Sequence, residues 1–255
     1  MRQLLPEYLP EVNPVELYTA DLRTCIGDRP WVVVNMITSI DGATAVDGRS
    51  GALGGPADKA VFRALREVPD VILVGAETVR TEGYGPVRLG DEARQRRRDL
   101  GRSEVPLLAI VSGSLTLDPD APMFSEAEGA TLVLTSENAD PVRRRRLESV
   151  AEVHTVGETR VSMTMALSLL GRLGIACVLC EGGPTLNAQL LAQDLVDEWC
   201  QTTSPMLVGG ESSRSAVGPE ADFGDDASGG GPPGLRLDRL LEDNGMLLAR
   251  YLRHL

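Results

Sequence analysis

An α/β fold is what the sequence predicts: a mostly parallel central sheet with helices on both faces, closed by antiparallel strands at the carboxyl end. Three observations predict it. Apolar runs rich in β-branched residues recur along the chain. Helical patterns lie between them, and strand–helix alternation of this kind builds a parallel sheet covered on both faces. The C-terminal stretch instead reads as two strands around a tight turn.

The strands expected from these runs are Trp31–Ile37, Val71–Gly75, Leu107–Val111, Thr131–Thr135 and Ile175–Cys180. Between the first two, "PADKAVFRALREV" sets Ala60, Val61, Ala64, Leu65 and Val68 on one helical stripe, with Pro56 near its start. "RVSMTMALSLLGRLG" repeats the pattern with Met163, Ala166, Leu167 and Leu170 inward and Gly174 as a stop, and "TLNAQLLAQDLVDEW" is a third helix. "EWCQTTSPMLVGG" is a strand and a turn, and "GLRLDRLLEDNGMLLARYLR" is a hairpin about Asp243–Gly245. Residues 1–28 read as an N-terminal extension, 29–255 as one domain, 90–104 as a polar insertion with a short helix, and 218–234 as a flexible surface loop rich in glycine, proline and acid. The arginine clusters at Arg96–Arg98 and Arg143–Arg146 read as solvated helix faces.

The chain has 255 residues, 42% of them hydrophobic, enough for a substantial core. Its net charge of −12 argues against nucleic acid and anionic membranes as partners. No apolar run reaches the roughly 18 residues that span a bilayer, and acids and prolines interrupt "MRQLLPEYLPEVNP", so the expected location is the cytoplasm. Cys177 and Cys180 form a CxxC within an apolar strand pattern. No second CxxC follows, and His154 and His254 are the only histidines. A zinc site needs more ligands than that, so no metal is expected and the cysteines read as reduced and buried.

Three strand ends carry unusual polar residues. After the first strand come Asn35, Ser39 and Asp41–Gly42, which alone could be an Asx turn. After the second come Gly75 and Thr78, then a glycine-rich loop bearing Glu82, Tyr84 and Arg88. After the fifth comes "CEGGPTLNAQLL", in which Glu181 precedes Gly182, Gly183 and Pro184. Glycines allow close backbone approach, and a helix start with free amides and a favourable dipole suits an anion such as a pyrophosphate. A plain strand-to-helix turn is the alternative. Ligands of open α/β sheets gather at such carboxyl ends.

As an ordered set, "NMITSIDG", "VGAETV", "EGYGPVR", "EGGPTL" and "PMLVGG" resemble the reductase domain of riboflavin biosynthesis, the C-terminal half of the bifunctional pyrimidine deaminase-reductases. The resemblance runs from about Trp31 to the C-terminus. It implies a dihydrofolate-reductase-like three-layer fold, NADPH as cofactor, a small phosphorylated pyrimidine as substrate and a homodimer. No HxE with a PCxxC accompanies it, so a stand-alone reductase is expected.

By position, the resemblance places Ile37, Gly75 and Thr78 at the nicotinamide side and Ser112 near the adenosine 2′-phosphate. Gly182, Gly183, Pro184, Thr185 and Leu186 fall at the pyrophosphate. It places Asn35, Ser39, Asp41, Ser50, Arg66, Arg88 and Glu181 on the substrate, with Arg66 and Arg88 on the ribose phosphate and Glu181 on the pyrimidine. The chain departs from the family where lysine usually stands (Asn35), where tryptophan often stands (Ala52), and where an Asp-Asp-Pro run is replaced by Glu82-Gly83-Tyr84. Glu82 is therefore expected to replace the family's catalytic aspartate. Two further readings follow from the altered substrate motifs: reduction of another pterin-like substrate such as dihydrofolate, or NADP binding without turnover.

Overall fold

The computed structural model describes residues 1–218 and 234–254. The expected loop at 218–234 lies, apart from its two end residues, outside the described residues.

Among the described residues, ten strands join one sheet. They are β1 (Arg2–Leu5), β2 (Trp31–Ser39), β3 (Val71–Gly75), β4 (Leu107–Val111), β5 (Thr131–Thr135), β6 (Glu152–Thr155), β7 (Cys177–Cys180), β8 (Glu198–Ser204), β9 (Leu235–Asp243) and β10 (Met246–Arg253), in the spatial order β1-β9-β10-β8-β2-β7-β3-β4-β5-β6. From β8 to β6 every pairing is parallel; β10 on β8, β9 on β10 and β1 on β9 are antiparallel. The helices are α1 (Pro14–Ala20), α2 (Pro56–Arg66), α3 (Ala76–Glu82), α4 (Asp91–Asp99), α5 (Pro122–Ser125), α6 (Pro141–Leu147), α7 (Met163–Arg172) and α8 (Pro184–Ala192).

The alternation of side chains along each strand divides the core in two. On one face Val33, Ile72, Val74 and Leu179 pack with Tyr18 of α1 and Val61, Ala64 and Leu65 of α2. On the other, Val32, Val34, Leu73 and Cys180 pack with Met163, Ala166, Leu167 and Leu170 of α7 and Leu186 and Leu190 of α8. The expected stripe of α2 is buried except for Ala60, which is half-buried.

The N-terminal stretch is part of this sheet, because β1 forms its edge and α1 packs on α2. The insertion holds α4, and here one expectation needs correcting. Arg97 is buried, not solvated: its guanidinium donates to the carbonyls of Glu67 (2.9 Å) and Pro69 (2.7 Å), just beyond α2, and of Ser103 (2.7 Å), just beyond α4. Burial pulls its pKa down to about 10.

A buried ionic network ties the N-terminal stretch to the C-terminal hairpin. Glu198, at the start of β8, is fully buried and accepts from Arg23 Nε and Nη2 (both 2.8 Å), Arg250 Nε (2.8 Å) and Trp31 Nε1 (3.2 Å). Asp197 beside it accepts from both terminal nitrogens of Arg29 (2.6 and 2.7 Å) and from the Val32 amide (2.8 Å). Burial alone would raise the Glu198 carboxyl, but the guanidiniums of Arg23 and Arg250 outweigh it and hold it down to about 2. No helix among the described residues is long and apolar enough to cross a membrane.

Candidate active site

The site forms where three parallel strands end together. β7 pairs with β2 only as far as Val34↔Cys180, whereas β2 stays with β8 as far as Ser39↔Ser204. Beyond Cys180 the chain follows β3 instead: the Glu181 amide donates to Leu73 O (3.0 Å) and the Gly75 amide to Gly182 O (2.9 Å). A cleft thus opens between residues 35–39 of β2 and the turns after β3 and β7. The two turns leave on opposite faces, α3 packing Val79 into the α1–α2 core and α8 packing Leu186 into the α7 core. Ligands of open sheets bind at such reversals.

Two helices begin there, and neither has a side-chain cap: α3 after Gly75 and α8 after Gly183. Their close approach requires glycine. A Cβ at Gly183 would stand 2.5 Å from Thr78 Oγ1, and Gly182 has φ +84°, in the left-handed region. The Gly182–Gly183 peptide is cis. Gly75, Thr78, Gly182, Gly183, Pro184, Thr185 and Leu186, all expected on the cofactor side, are thus gathered at one place. Thr78 Oγ1 makes no hydrogen bond among the described residues, and the uncapped start of α8 offers amides with the positive end of the helix dipole. This cradle, which any side chain at position 183 would fill, fits a dinucleotide pyrophosphate. Ser112 is buried at the end of β4, the strand next to β3, where its Oγ accepts from the Leu115 amide (3.0 Å).

The other side of the cleft faces α2. Alternation on β2 turns Asn35, Ile37 and Ser39 toward that face, with Val33, and Glu181 follows Leu179 to the same side. There Glu181 meets Arg66. Arg66 Nε donates to Oε1 and Nη2 to Oε2, both at 2.7 Å, and Nη2 also donates to the Tyr84 hydroxyl at 2.9 Å. The guanidinium carbon lies 4.3 Å from the Phe62 ring centroid and 5.6 Å from that of Tyr84. Asp58, Phe62 and Arg66 stand at i, i+4 and i+8 on one face of α2, all half-buried. Burial raises the Asp58 carboxyl, and Gly54 lets it approach, since a Cβ there would be 2.8 Å from Asp58 Oδ2. Sequence reasoning missed Asp58; the only signal was an acid one turn before Phe62 and two turns before Arg66 on α2.

Three expected substrate residues have local partners instead. Ser39 is buried, donates to Asp41 Oδ1 (2.5 Å) and accepts from the Ala43 amide (2.9 Å). Asp41 also accepts from the amides of Val208 (3.2 Å) and Gly209 (2.6 Å), so its carboxylate joins the turn after β2 to the turn after β8. The Ser39 hydroxyl, with the Gly209 and Val208 amides, holds Asp41 down to about 2. Arg88 is not brought to the cleft. Its exposed guanidinium pairs with Glu126 (2.6 Å), and the neighbouring Val87 packs beside Val105 and Leu107, at the amino-terminal end of β4. That is the opposite end of the sheet from the cleft.

Glu82, the last residue of α3, accepts from the Ser50 amide through Oε1 (3.0 Å), fixing the short 3-10 turn Ser50–Ala52 against α3. Its Oε2 has no partner among the described residues. Ala52 is exposed. From the end of β8, residues 205–218 run across the turn after β2, where Thr44 Oγ1 donates to Ser213 O (2.9 Å), and on to α8, where Asn187 Nδ2 donates to Ser215 O (2.7 Å) and the Val217 amide to Pro184 O (3.0 Å).

One prediction concerns that frame. Because the folded pKa of Asp41 is depressed, its bonds are complete above the ordinary carboxylate range and are lost only as pH falls through about 2. At pH 4 the amides of Val208 and Gly209 should therefore remain protected from hydrogen exchange, and in Asp41→Asn they should exchange about tenfold faster or more. Equal exchange in the two proteins would show that Asp41 does not hold the turn.

A depression of about 260 Å³ lies elsewhere, under Phe124, Val150 and Ala151 at the amino-terminal ends of β5 and β6; Glu152 is the only ionisable residue lining it. No group of three or more His, Cys, Asp or Glu among the described residues could hold a metal ion.

Comparison with known proteins identifies the family and the fold. A family model described as the RibD C-terminal domain matches residues 30–237. The 2,5-diamino-6-ribosylamino-4(3H)-pyrimidinone 5′-phosphate reductase of Methanothermobacter thermautotrophicus is 32% identical over 191 residues, which cover 74% of this chain and 84% of that protein. A crystal structure of a pyrimidine reductase-like protein from Corynebacterium diphtheriae superposes with a TM-score of 0.76 at 29% identity, covering 96% of this chain and 100% of that one. Dihydrofolate reductase of Enterococcus faecalis shares the fold at a TM-score of 0.50 and 11% identity, covering 91% of this chain and 99% of that one.

Proposed function

Since the chain belongs to the RibD C-terminal domain family, we propose that it is an NADPH-dependent pyrimidine reductase of the riboflavin pathway, converting a phosphoribosylaminopyrimidine to its ribitylamino form. The observation that carries this reading is the meeting of the β3 and β7 turns at the uncapped start of α8, directly beside the acid–arginine cluster of Glu181 and Arg66. A dinucleotide cradle and a polar substrate pocket thereby share one cleft.

In this reading the backbone N–H groups of Gly183, Thr185 and Leu186 hold the pyrophosphate, with Gly182 and Pro184 shaping the turn and Thr78 beside them. The backbone of Ile37 and the turn at Gly75 flank the nicotinamide, and Ser112 lies toward the 2′-phosphate. NADPH supplies the hydride. The chain itself must bind the ring-opened sugar as an imine and deliver a proton to its nitrogen as the carbon–nitrogen double bond is reduced. Of the carboxylates at the cleft, Asp41 is held by a hydroxyl and two amides, and Glu181 by a guanidinium on both oxygens. Glu82 keeps Oε2 without a partner among the described residues and stands where the resemblance puts the family's catalytic aspartate, so we assign it the proton-donor role. Asp58, whose carboxyl burial raises, is the other acid on that side of the cleft. Glu82→Gln keeps an acceptor for the Ser50 amide but has no proton to give. It should lower kcat about a hundredfold and leave the Kd for NADPH unchanged; unaltered turnover would remove Glu82 from the mechanism.

The test of the function is NADPH oxidation with two substrates. One is the 2,5-diamino-6-ribosylamino-pyrimidinone 5′-phosphate of the Methanothermobacter relative's name. The other is 5-amino-6-(5-phosphoribosylamino)uracil, the substrate the sequence suggested. Turnover of either establishes the reaction class, and the kcat/KM ratio chooses between them. A second reading has one observation in its favour. Arg88 lies at the far end of the sheet, paired with Glu126, so one of the two cations expected on a ribose phosphate stands away from the cleft. That favours an unphosphorylated pterin-like substrate, and dihydrofolate is the third arm of the assay. NADPH binding without oxidation in any arm would instead mark a non-catalytic NADP-binding protein. We further propose a cytoplasmic homodimer, on the family resemblance alone.

A further inference from the structure

We propose that residues 205–217 form a strap that couples the two banks of the cleft, so that a ligand in the cofactor cradle tightens the substrate side without touching the substrate. Thr44 and Ser212 are its positioning residues on the substrate bank, and Asn187 is its positioning residue on the cofactor bank. The inference rests on the pyrimidine-reductase reading and deepens it.

The strap leaves β8 at Ser204 and is fastened first to the turn after β2. The Ile40 amide donates to Met206 O (3.0 Å), and Asp41 accepts from the amides of Val208 and Gly209. Ser212 Oγ accepts from the amides of Thr44 (3.1 Å) and Ala45 (3.3 Å), while Thr44 Oγ1 donates to Ser213 O (2.9 Å). That turn continues β2, whose Asn35, Ile37 and Ser39 face the substrate side. The far end of the strap is fastened to the first turn of α8. Asn187 is fully buried and its carboxamide is used at both ends: Nδ2 donates to Ser215 O (2.7 Å), and Oδ1 accepts from the Cys180 thiol (3.4 Å). The Val217 amide donates to Pro184 O (3.0 Å), and a Cβ at Gly218 would stand 2.8 Å from that of Ala188. Pro184 and Asn187 thus belong both to the helix that makes the cradle and to the anchor of the strap.

Between these anchors the strap has little order of its own. It contains no helix or strand, and among the described residues no backbone hydrogen bond joins two residues of 207–217. Met206, Leu207 and Val217 are exposed, so it has no core. Such a segment takes its order from its anchors, and the entropic cost of ordering it is shared between them. With one end fixed, attachment of the other becomes intramolecular. A ligand that fixes the start of α8 therefore supplies part of the order that the turn after β2 needs, and the two sites become coupled through conformational entropy.

The probe that tests this is 2′-phosphoadenosine 5′-diphosphate, which carries the pyrophosphate of the cofactor and lacks the nicotinamide and its ribose. Two quantities are measured with and without saturating probe: the Kd of the ribitylaminopyrimidine phosphate product, by calorimetry, and hydrogen exchange at the Gly209 and Val217 amides. In the unmodified protein the probe should lower the product Kd about fivefold or more. It should slow exchange at Val217, and also at Gly209 on the opposite bank, by about tenfold. Thr44→Val and Ser212→Ala each remove a fastening on the substrate bank and leave α8 untouched. In both, the effect of the probe on the product Kd should shrink to less than about twofold, and Gly209 should lose its protection by the probe, with the melting temperature close to that of the unmodified protein. A probe that binds the unmodified protein but alters neither the product Kd nor Gly209 exchange would overturn the inference. So would an undiminished effect in both variants. Protection of Gly209 in a protein that binds no product would support the strap and count against the substrate reading alone. Failure of the probe to bind would overturn the cradle and the inference together.

Discussion

Glu198→Gln is expected to destabilise the protein by about 3–5 kcal/mol, the cost of breaking a buried ion pair from one side. Glutamine has nearly the shape of glutamate, so packing survives. What is lost is the charge that compensates Arg23 and Arg250, whose guanidiniums are almost fully buried. Asp21 and Asp238 also contact these arginines, so part of the compensation remains. The value should be read from urea unfolding at pH 7, with the exposed Glu152→Gln as a control that changes little. The pH dependence carries the same sign. Because the folded pKa of Glu198 is about 2 against an ordinary 4.5, its contribution is complete above pH 4.5 and is lost as pH falls through 2. The slope of stability against pH across that window should be shallower in Glu198→Gln. A loss below 1 kcal/mol with an unchanged slope would show that the network adds nothing net to stability.

Gly183→Ala should weaken NADPH binding by tenfold to a hundredfold, or about 1.4–2.7 kcal/mol. The new methyl would stand 2.5 Å from Thr78 Oγ1, far inside contact distance, so the start of α8 or of α3 must shift. Either shift spoils the amides assigned to the pyrophosphate. The backbone at Gly183 has φ −76°, which alanine adopts freely, so the effect arises from crowding and not from backbone strain. Fluorescence titration with NADPH measures it. Binding within twofold of the unmodified protein would place the cofactor elsewhere.

How much of this was legible in the sequence depends on whether the signal is local. The central strands were legible because a strand buried on both faces must be apolar throughout, and β3, β4 and β5 have the ends their composition set. The four-residue edge strands β1 and β6 have no such composition: "EVHT" presents two polar side chains and a charge. The paired glycines after β7 were legible because close approach of a backbone leaves a mark in the residue type. The buried network was not. Arg23 and Glu198 are 175 positions apart, and in sequence Arg23 resembles any surface arginine. The same limit applies to Arg66 and Glu181, 115 positions apart, whose mutual pairing no local pattern announces. Arg88 shows the converse. A motif position was carried over from the resemblance, while the local chain takes its side chain to Glu126.

The central claim is that this one cleft transfers a hydride from NADPH to a ribosylaminopyrimidine. The most direct measurement uses NADPH deuterated at the transferring position of the nicotinamide, incubated with the protein and the phosphoribosylated diaminopyrimidinone, with the product read by mass spectrometry. The account predicts a ribitylamino product carrying one deuterium on the former sugar carbonyl carbon, formed by the unmodified protein and much more slowly by Gly183→Ala. A ribitylamino product free of deuterium, or label transfer undiminished in Gly183→Ala, would contradict it.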